Sequence, residues 1–161
     1  MRRFWTGAIL ALSLLPATAR AQEAVVGAPD AEALFTSPDP QLHANKQLVY
    51  KIIRDLLEAG RWDLADQYLT ERYLQHNPNA ASGRAGVIHF FTEVLKVEPK
   101  PIPEKIPPRV VFVTAEGDLV TVGFVHEQTD SRGEAYTTTW YDTWRILDGK
   151  ADEHWDSALR P

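Results

Sequence analysis

"RVVFVTAEGDLVTVGFVHEQTDSRGEAYTTTWYDTWRILDGKADEHWD", residues 109–156, is the stretch on which the fold turns. Apolar and polar residues alternate through it with the period of a half-buried β-strand, and it is rich in the β-branched and aromatic residues that fit a pleated surface. Glu116-Gly117-Asp118, residues 130–133 and Asp148-Gly149 interrupt the alternation with turn chemistry, which predicts four strands joined as an antiparallel meander. On the longest strand Tyr136, Thr138, Trp140, Asp142, Trp144 and Ile146 share one face, and Thr137, Thr139, Tyr141, Thr143 and Arg145 share the other. The last strand divides into Asp152, His154 and Asp156 against Ala151, Glu153 and Trp155. An unpartnered carboxylate on an apolar face costs on the order of several kcal/mol, so Asp142 and Asp156 either meet water or line a pocket. The last turn decides their neighbours. Two turn residues pair Asp142 with Trp155, whereas three, with Gly149 left-handed as a bulge, pair Asp142 with His154 and Trp140 with Asp156.

Upstream lies "EPKPIPEKIPP", residues 98–108, whose five prolines exclude a helix or a central strand and predict an extended connection. Before it the apolar period is helical. Leu48, Val49, Ile52, Ile53, Leu56 and Leu57 recur at three- and four-residue steps, and Gly60 stands where that helix stops. A shorter helix is expected over residues 62–69, with "ERYLQHNP" turning out of it. A third starts at Ser82 as N-cap and carries Val87, Phe90, Phe91, Val94 and Leu95 on one face. Helices followed by an antiparallel sheet give an α+β order.

The N-terminal residues are of another kind. Arg2 and Arg3, an apolar run from Ala8 to Leu15, Pro16 and the small-residue exit Ala19-Arg20-Ala21 follow the order of a secretory signal peptide, and the run is too short to span a bilayer. Residues 1–21 are therefore expected to be a signal peptide, residues 22–41, with Pro29, Pro38 and Pro40, a linker or loose arm, and residues 42–161 the domain. Export to the periplasm or the exterior follows, with no membrane attachment after cleavage. Loss of Arg2, Arg3 and Arg20 reduces the 17 basic residues to 14 against 22 acidic ones, a formal charge of −8, which disfavours nucleic acid and anionic membrane as partners. Cysteine is absent from the sequence, so disulfides and a thiol nucleophile are excluded.

Three motifs in this order resemble one family. "YLQHNP" at residues 73–78, "GRAGVIHFF" from Gly83 and "YDTWRILDGKADEHWD" at the end resemble the SnoaL-like polyketide cyclases of the nuclear transport factor two-like superfamily, over residues 42–156. The resemblance implies a cone: a strongly curved antiparallel sheet wrapped around three N-terminal helices, with one apolar cavity at the wide end. It implies chemistry without metal or organic cofactor, of the aldol-cyclase or isomerase type, on a small hydrophobic carbonyl compound. It also implies a possible homodimer through the outer sheet face, where Tyr141, Thr143 and Trp155 would lie. The sequence departs from the pattern at Trp144, where a Phe is expected, and at Ala151, where a larger aliphatic is expected, which predicts a pocket of altered shape.

The resemblance implies a polar pair from the last strand inside the cavity and so favours the three-residue turn. Asp142 and His154 are then opposite one another in a charge-assisted hydrogen bond, with Asp142 expected as acid/base, His154 as its orienting partner and Asp156 nearby. His76 and Asn77 are expected to hold water or polarise a substrate oxygen, His126 to contribute from the strand of Val122 and Phe124, and Trp140 and Trp144 to wall the pocket. Each has a structural alternative: an ion pair for Asp142 with His154, a turn for His76 and Asn77, a strand end for His126.

Two other functions remain open on the same pocket, a non-catalytic binder of hydrophobic small molecules and an epoxide hydrolase. The latter needs an Asp-Arg-Asp relay, and Arg145 falls on the wrong strand face to supply it. The five His residues show no ligand spacing of a zinc site, the Ser residues lack a nucleophile elbow, and there is no phosphate-cradling glycine loop.

Overall fold

A computed structural model of the chain describes residues 23–160. The expected signal peptide lies outside the described residues. After a 3-10 turn at Glu32–Phe35 come helix α1, Pro40–Lys51, its wider π-helical continuation Ile52–Glu58, a 3-10 turn at Trp62–Leu64 and helix α2, Ala65–Tyr68. Strand β1, Leu69–Gln75, leads to helix α3, Arg84–His89, with a π-helical extension Phe90–Val94. Strands β2, Val110–Glu116, β3, Leu119–Thr129, β4, Ala135–Leu147, and β5, Lys150–Asp156, complete the domain. They form one sheet in the order β1-β5-β4-β3-β2.

Helix α1 starts where Asp39 accepts a hydrogen bond from Leu42 N and Pro40 needs none of its own. Its apolar stripe buries Val49, Ile52, Ile53 and Leu56 against the sheet, and Gly60 at φ +65° ends the run as expected. Full burial of such side chains contributes about 1.5–3 kcal/mol each. The facing wall is Val120, Val122, Phe124, Trp144 and Ile146 on the concave side of β3 and β4. The result is the expected α+β cone of helices and curved sheet. Its meander of four strands is the one read from the turns.

Four expectations are corrected. The sheet has five strands and is mixed, because the segment read as leaving the second helix is β1, paired parallel to β5. Its register shifts between Leu69 and Leu74, so its buried residues Leu69 and Tyr73 fall four apart and imitate a helical step. Second, the segment expected as a loose arm over residues 22–41 is not loose throughout its described part from residue 23, since Ala31 and the fully buried Phe35 belong to the core and Ala28 N donates to Val110 O at 2.7 Å. Third, Ser82 does not cap α3. Gly83 occupies that place at φ +92°, while Ser82 Oγ accepts from Gln75 N at 3.0 Å, and Val94 and Leu95 are exposed.

The fourth correction is the last hairpin. Leu147 pairs with Lys150 across a two-residue turn in which Asp148 and Gly149 both have positive φ, +50° and +76°. That is the turn whose twist matches the strands. Asp152 then forms a β-bulge, and beyond it Trp144 pairs with His154 and Asp142 with Asp156. The bulge restores the parity that the two-residue turn would have reversed. Asp142, His154 and Asp156 therefore share the inner face, but His154 is diagonal to Asp142 rather than opposite it. Asp152 leaves that face, fully buried against Arg72 and Thr70 of β1.

Candidate active site

Between the helices and the sheet is an apolar cavity of about 200 Å³. Ile52, Leu56, Leu57, Trp62, Val87, Phe90 and Phe91 supply its helical wall, and Trp140 and Trp144 its sheet wall. Trp62 stacks on Phe91 with ring centroids 4.0 Å apart, and its Nε1–H is the one buried side-chain polar group among the described residues without a partner. Three polar side chains from β4 and β5 break the apolar surface: Asp142, His154 and Asp156.

His154 is held on every side. Its ring lies between Trp144, 5.1 Å away, and Tyr73, 6.4 Å away and nearly parallel. Nδ1 is 2.8 Å from Gln75 Oε1, which also accepts the Asn77 main-chain N–H at 3.2 Å. An oxygen that accepts a main-chain N–H is an acceptor for His154 as well, so Nδ1 carries a proton and Nε2 is turned to the cavity. Nε2 is 3.5 Å from Asp142 Oδ1, which accepts the Trp140 Nε1–H at 3.1 Å. Asp156 accepts from Asn77 Nδ2 at 2.6 Å and from Ala158 N at 2.9 Å. The pair Asp142 and His154 is thus almost buried, with side-chain exposures of 14% and 10%. Tyr73 is also buried here. Desolvation first, then the negative potentials of Asp142 and Asp156, push its phenol well above the ordinary range, and it stays a hydrogen-bond donor. Ligand atoms of Asp142, His154 and Asp156 lie within 4.8 Å of one another, a separation that a divalent cation could bridge with two carboxylates and the free Nε2.

The SnoaL-like domain family model matches residues 51–154. The chain belongs to the SnoaL-like family. Among solved structures it is similar to a proposed SnoaL-like polyketide cyclase from Jannaschia sp. CCS1, at 18% identity and TM-score 0.54 over 76% of this chain and 91% of that one. It is also similar to a proposed polyketide cyclase from Acidithiobacillus ferrooxidans, at 15% identity and TM-score 0.53 over 75% and 89%. At such identity these likenesses carry the fold alone. No curated protein matches the chain.

Within this SnoaL-like frame the remaining expected residues separate. Asn77 lines the cavity and fixes Asp156, whereas His76, one residue earlier, points outward: it is about half exposed, stacks on Trp155 at 5.1 Å and pairs with Glu153 at 2.8 Å. This corrects its expected substrate contact, and the reason is the strand geometry of β1, which alternates faces where a helix end would not. His126 is outside this cavity, edge-on to Trp140 at 5.0 Å. Arg145 is on the outer face, bonded to Asp118 and Glu153, so no Arg lines the cavity and the Asp-Arg-Asp relay is not assembled. The two departures from the family pattern have places. Trp144 forms the floor beneath His154, and Ala151 is fully buried opposite Ile146 just before the bulge. Sequence reading missed Tyr73 and Gln75. Their period-two spacing within "YLQ" was the available signal, obscured by the helical step from Leu69 to Tyr73.

Proposed function

We propose that this protein is a cofactor-independent acid/base enzyme of the cyclase or isomerase type acting on a small apolar carbonyl compound. The observation that supports it is a pair of carboxylates and an oriented imidazole, Asp142, Asp156 and His154, converging on an apolar cavity with Asp142 and His154 almost buried. Asp142 takes the proton from the carbon next to the carbonyl, and the electron pair of the broken C–H bond moves onto the carbonyl oxygen as an enolate. The Trp140 Nε1–H orients Asp142, His154, anchored by Gln75, presents Nε2 to the cavity beside it, and Tyr73 donates to the enolate oxygen. The enolate carbon then attacks a second carbonyl of the same molecule or is reprotonated at another position, and the proton returns from Asp142.

The test needs no knowledge of the natural substrate. Solvent deuterium incorporation next to the carbonyl is followed by NMR over a panel of apolar ketones and diketones. Asp142→Asn is expected to slow exchange by about 10²- to 10⁴-fold while ligand binding persists. If the wild-type protein binds panel members and exchanges none, the site is that of a binding protein.

The basic, apolar, small order of residues 1–21 supports export, and mass spectrometry of the protein from its host is expected to find Gln22 as the first residue. A homodimer through the outer sheet face is supported by Phe112 and Tyr141, 37% and 46% exposed with rings 6.0 Å apart, and by Gly123, whose lack of a side chain lets Phe112 lie flat across β3. Analytical ultracentrifugation of Tyr141→Lys against the wild type tests this.

A further inference from the structure

On the far side of Trp140 the sheet holds a second, shallower cavity of about 130 Å³. It shares Leu57, Trp140 and Asp142 with the first, so an indole and a carboxylate form the partition between them. Its other walls include Phe124, His126 and Arg109. Arg109 is the one cationic Lys or Arg side chain lining either cavity. Its guanidinium is 5.9 Å from the Phe124 ring centroid, and Nη2 donates to Glu58. Among the described residues, Nε and Nη1 have no protein acceptor.

We propose that the outer chamber is a carboxylate subsite, and that the ligand is a flat carbonyl compound bearing a carboxylate at the end remote from the reacting carbon. Its body would pass along the Trp140 indole, with the carboxylate on Arg109 and the carbonyl end toward Asp142 and His154. Three observations carry this. Pockets for drug-sized molecules run from about 300 Å³ upward, and the inner cavity of about 200 Å³ falls short, so a ligand of that size would extend past the Trp140 edge into the adjoining outer chamber. An Arg lying by an aromatic ring keeps its planar fork free at the edge, in the geometry that matches a carboxylate. Finally, the inner cavity already contains Asp142 and Asp156. Asp142 borders both chambers and Asp156 the inner one alone, so an anionic end meets two carboxylates inside but one carboxylate with Arg109 beside it outside, which favours one direction for the ligand.

The proposal rests on the proposed function only in taking Asp142 as the group that faces the carbonyl. Affinity for a carboxylate is independent of turnover. Isothermal calorimetry with naphthalene-2-carboxylate and naphthalene-2-carboxamide, which differ only in the charged end, separates the two. The wild-type protein is expected to bind the carboxylate about tenfold or more tightly than the amide. Arg109→Gln is expected to abolish the preference and leave the amide affinity unchanged, and Arg109→Lys to retain part of it. Glu58→Gln removes the competing negative charge beside Arg109 and is expected to increase the preference, a gain that a merely structural role for Arg109 would not produce. Circular dichroism establishes that each variant is folded. Equal binding of the two compounds, binding of neither, or a preference that survives Arg109→Gln overturns the subsite. Deuterium exchange by the wild-type protein with any of these results leaves the role of Asp142 intact.

Discussion

Strand β5 has two faces built from the same residue types in opposite settings. Outside, Glu153 accepts from Arg145 at 3.0 Å and pairs with His76 at 2.8 Å, Arg145 also donates to Asp118 at 2.7 Å, and the guanidinium lies 5.5 Å from the Trp155 ring. Each of these charges has an opposite partner, and the His76 hydrogen bond, followed by Arg145 after a smaller opposing effect of burial, holds the Glu153 carboxyl below the usual range. Inside, Asp142 has the His154 imidazole 3.5 Å away, and the hydrogen-bond partners of Asp142 and Asp156 are the neutral N–H groups of Trp140, Asn77 and Ala158. Compensation makes the outer network a fixed surface device. Inside, carboxylates without a Lys or Arg partner border an apolar cavity, the setting that the proposed acid/base role uses.

The same chemical change made on each face breaks or sharpens this contrast. Asp142→Asn is expected to reduce deuterium exchange by about two to four orders of magnitude, whereas Glu153→Gln leaves it within about twofold. Next in size is Gln75→Leu, which removes the acceptor of the His154 Nδ1 proton. Loss of that tautomer control is expected to lower exchange by about tenfold or more without unfolding the protein, as read by the kcat loss at unchanged circular dichroism. A smaller effect falls on stability. The Asp152 carboxyl is held below its ordinary value, first by Arg72 and then, against burial, by Thr70. A group depressed in the folded state stabilises it above the unfolded value, about pH 4, and loses that contribution as pH falls through the folded one. Asp152→Asn is therefore expected to flatten the acid limb of the Tm profile below about pH 4, with little change in its shape at neutral pH. The least effect belongs to Arg145→Gln, whose exposed pairs are screened by solvent. Its Tm is expected to stay close to that of the wild type and its exchange rate unchanged.

Much of the fold was legible because its signals are local. The turns at Gly117, Gly133 and Gly149 all have positive φ in the structure, where turn chemistry placed them, and the stripe of α1 buries the residues whose spacing defined it. β1 was not legible, because a parallel pairing with β5 about 80 residues later leaves no local period, and its register shift imitated a helix. Phe35 was not legible either. Its short apolar context between prolines gives no hint that a groove between α1 and β2 awaits it. In the site, the shared face of Asp142, His154 and Asp156 was read from alternation alone, yet their pairing was misread. The turn length and the bulge at Asp152 each move the register by one, and only the sum is visible in which residues share a face.

The amino-acid sequence by itself determined the stripe of α1, the four-strand meander β2–β5, the inner face of β4 and the identity of the three polar side chains on the cavity wall, because periodicity and turn chemistry act over a few residues. Tertiary structure alone decided that Gln75 fixes His154, that His76 faces away, and that Arg109 and Trp140 enclose a second chamber. Those relations depend on strands brought together from distant parts of the chain, and distance along the chain carries no trace of them.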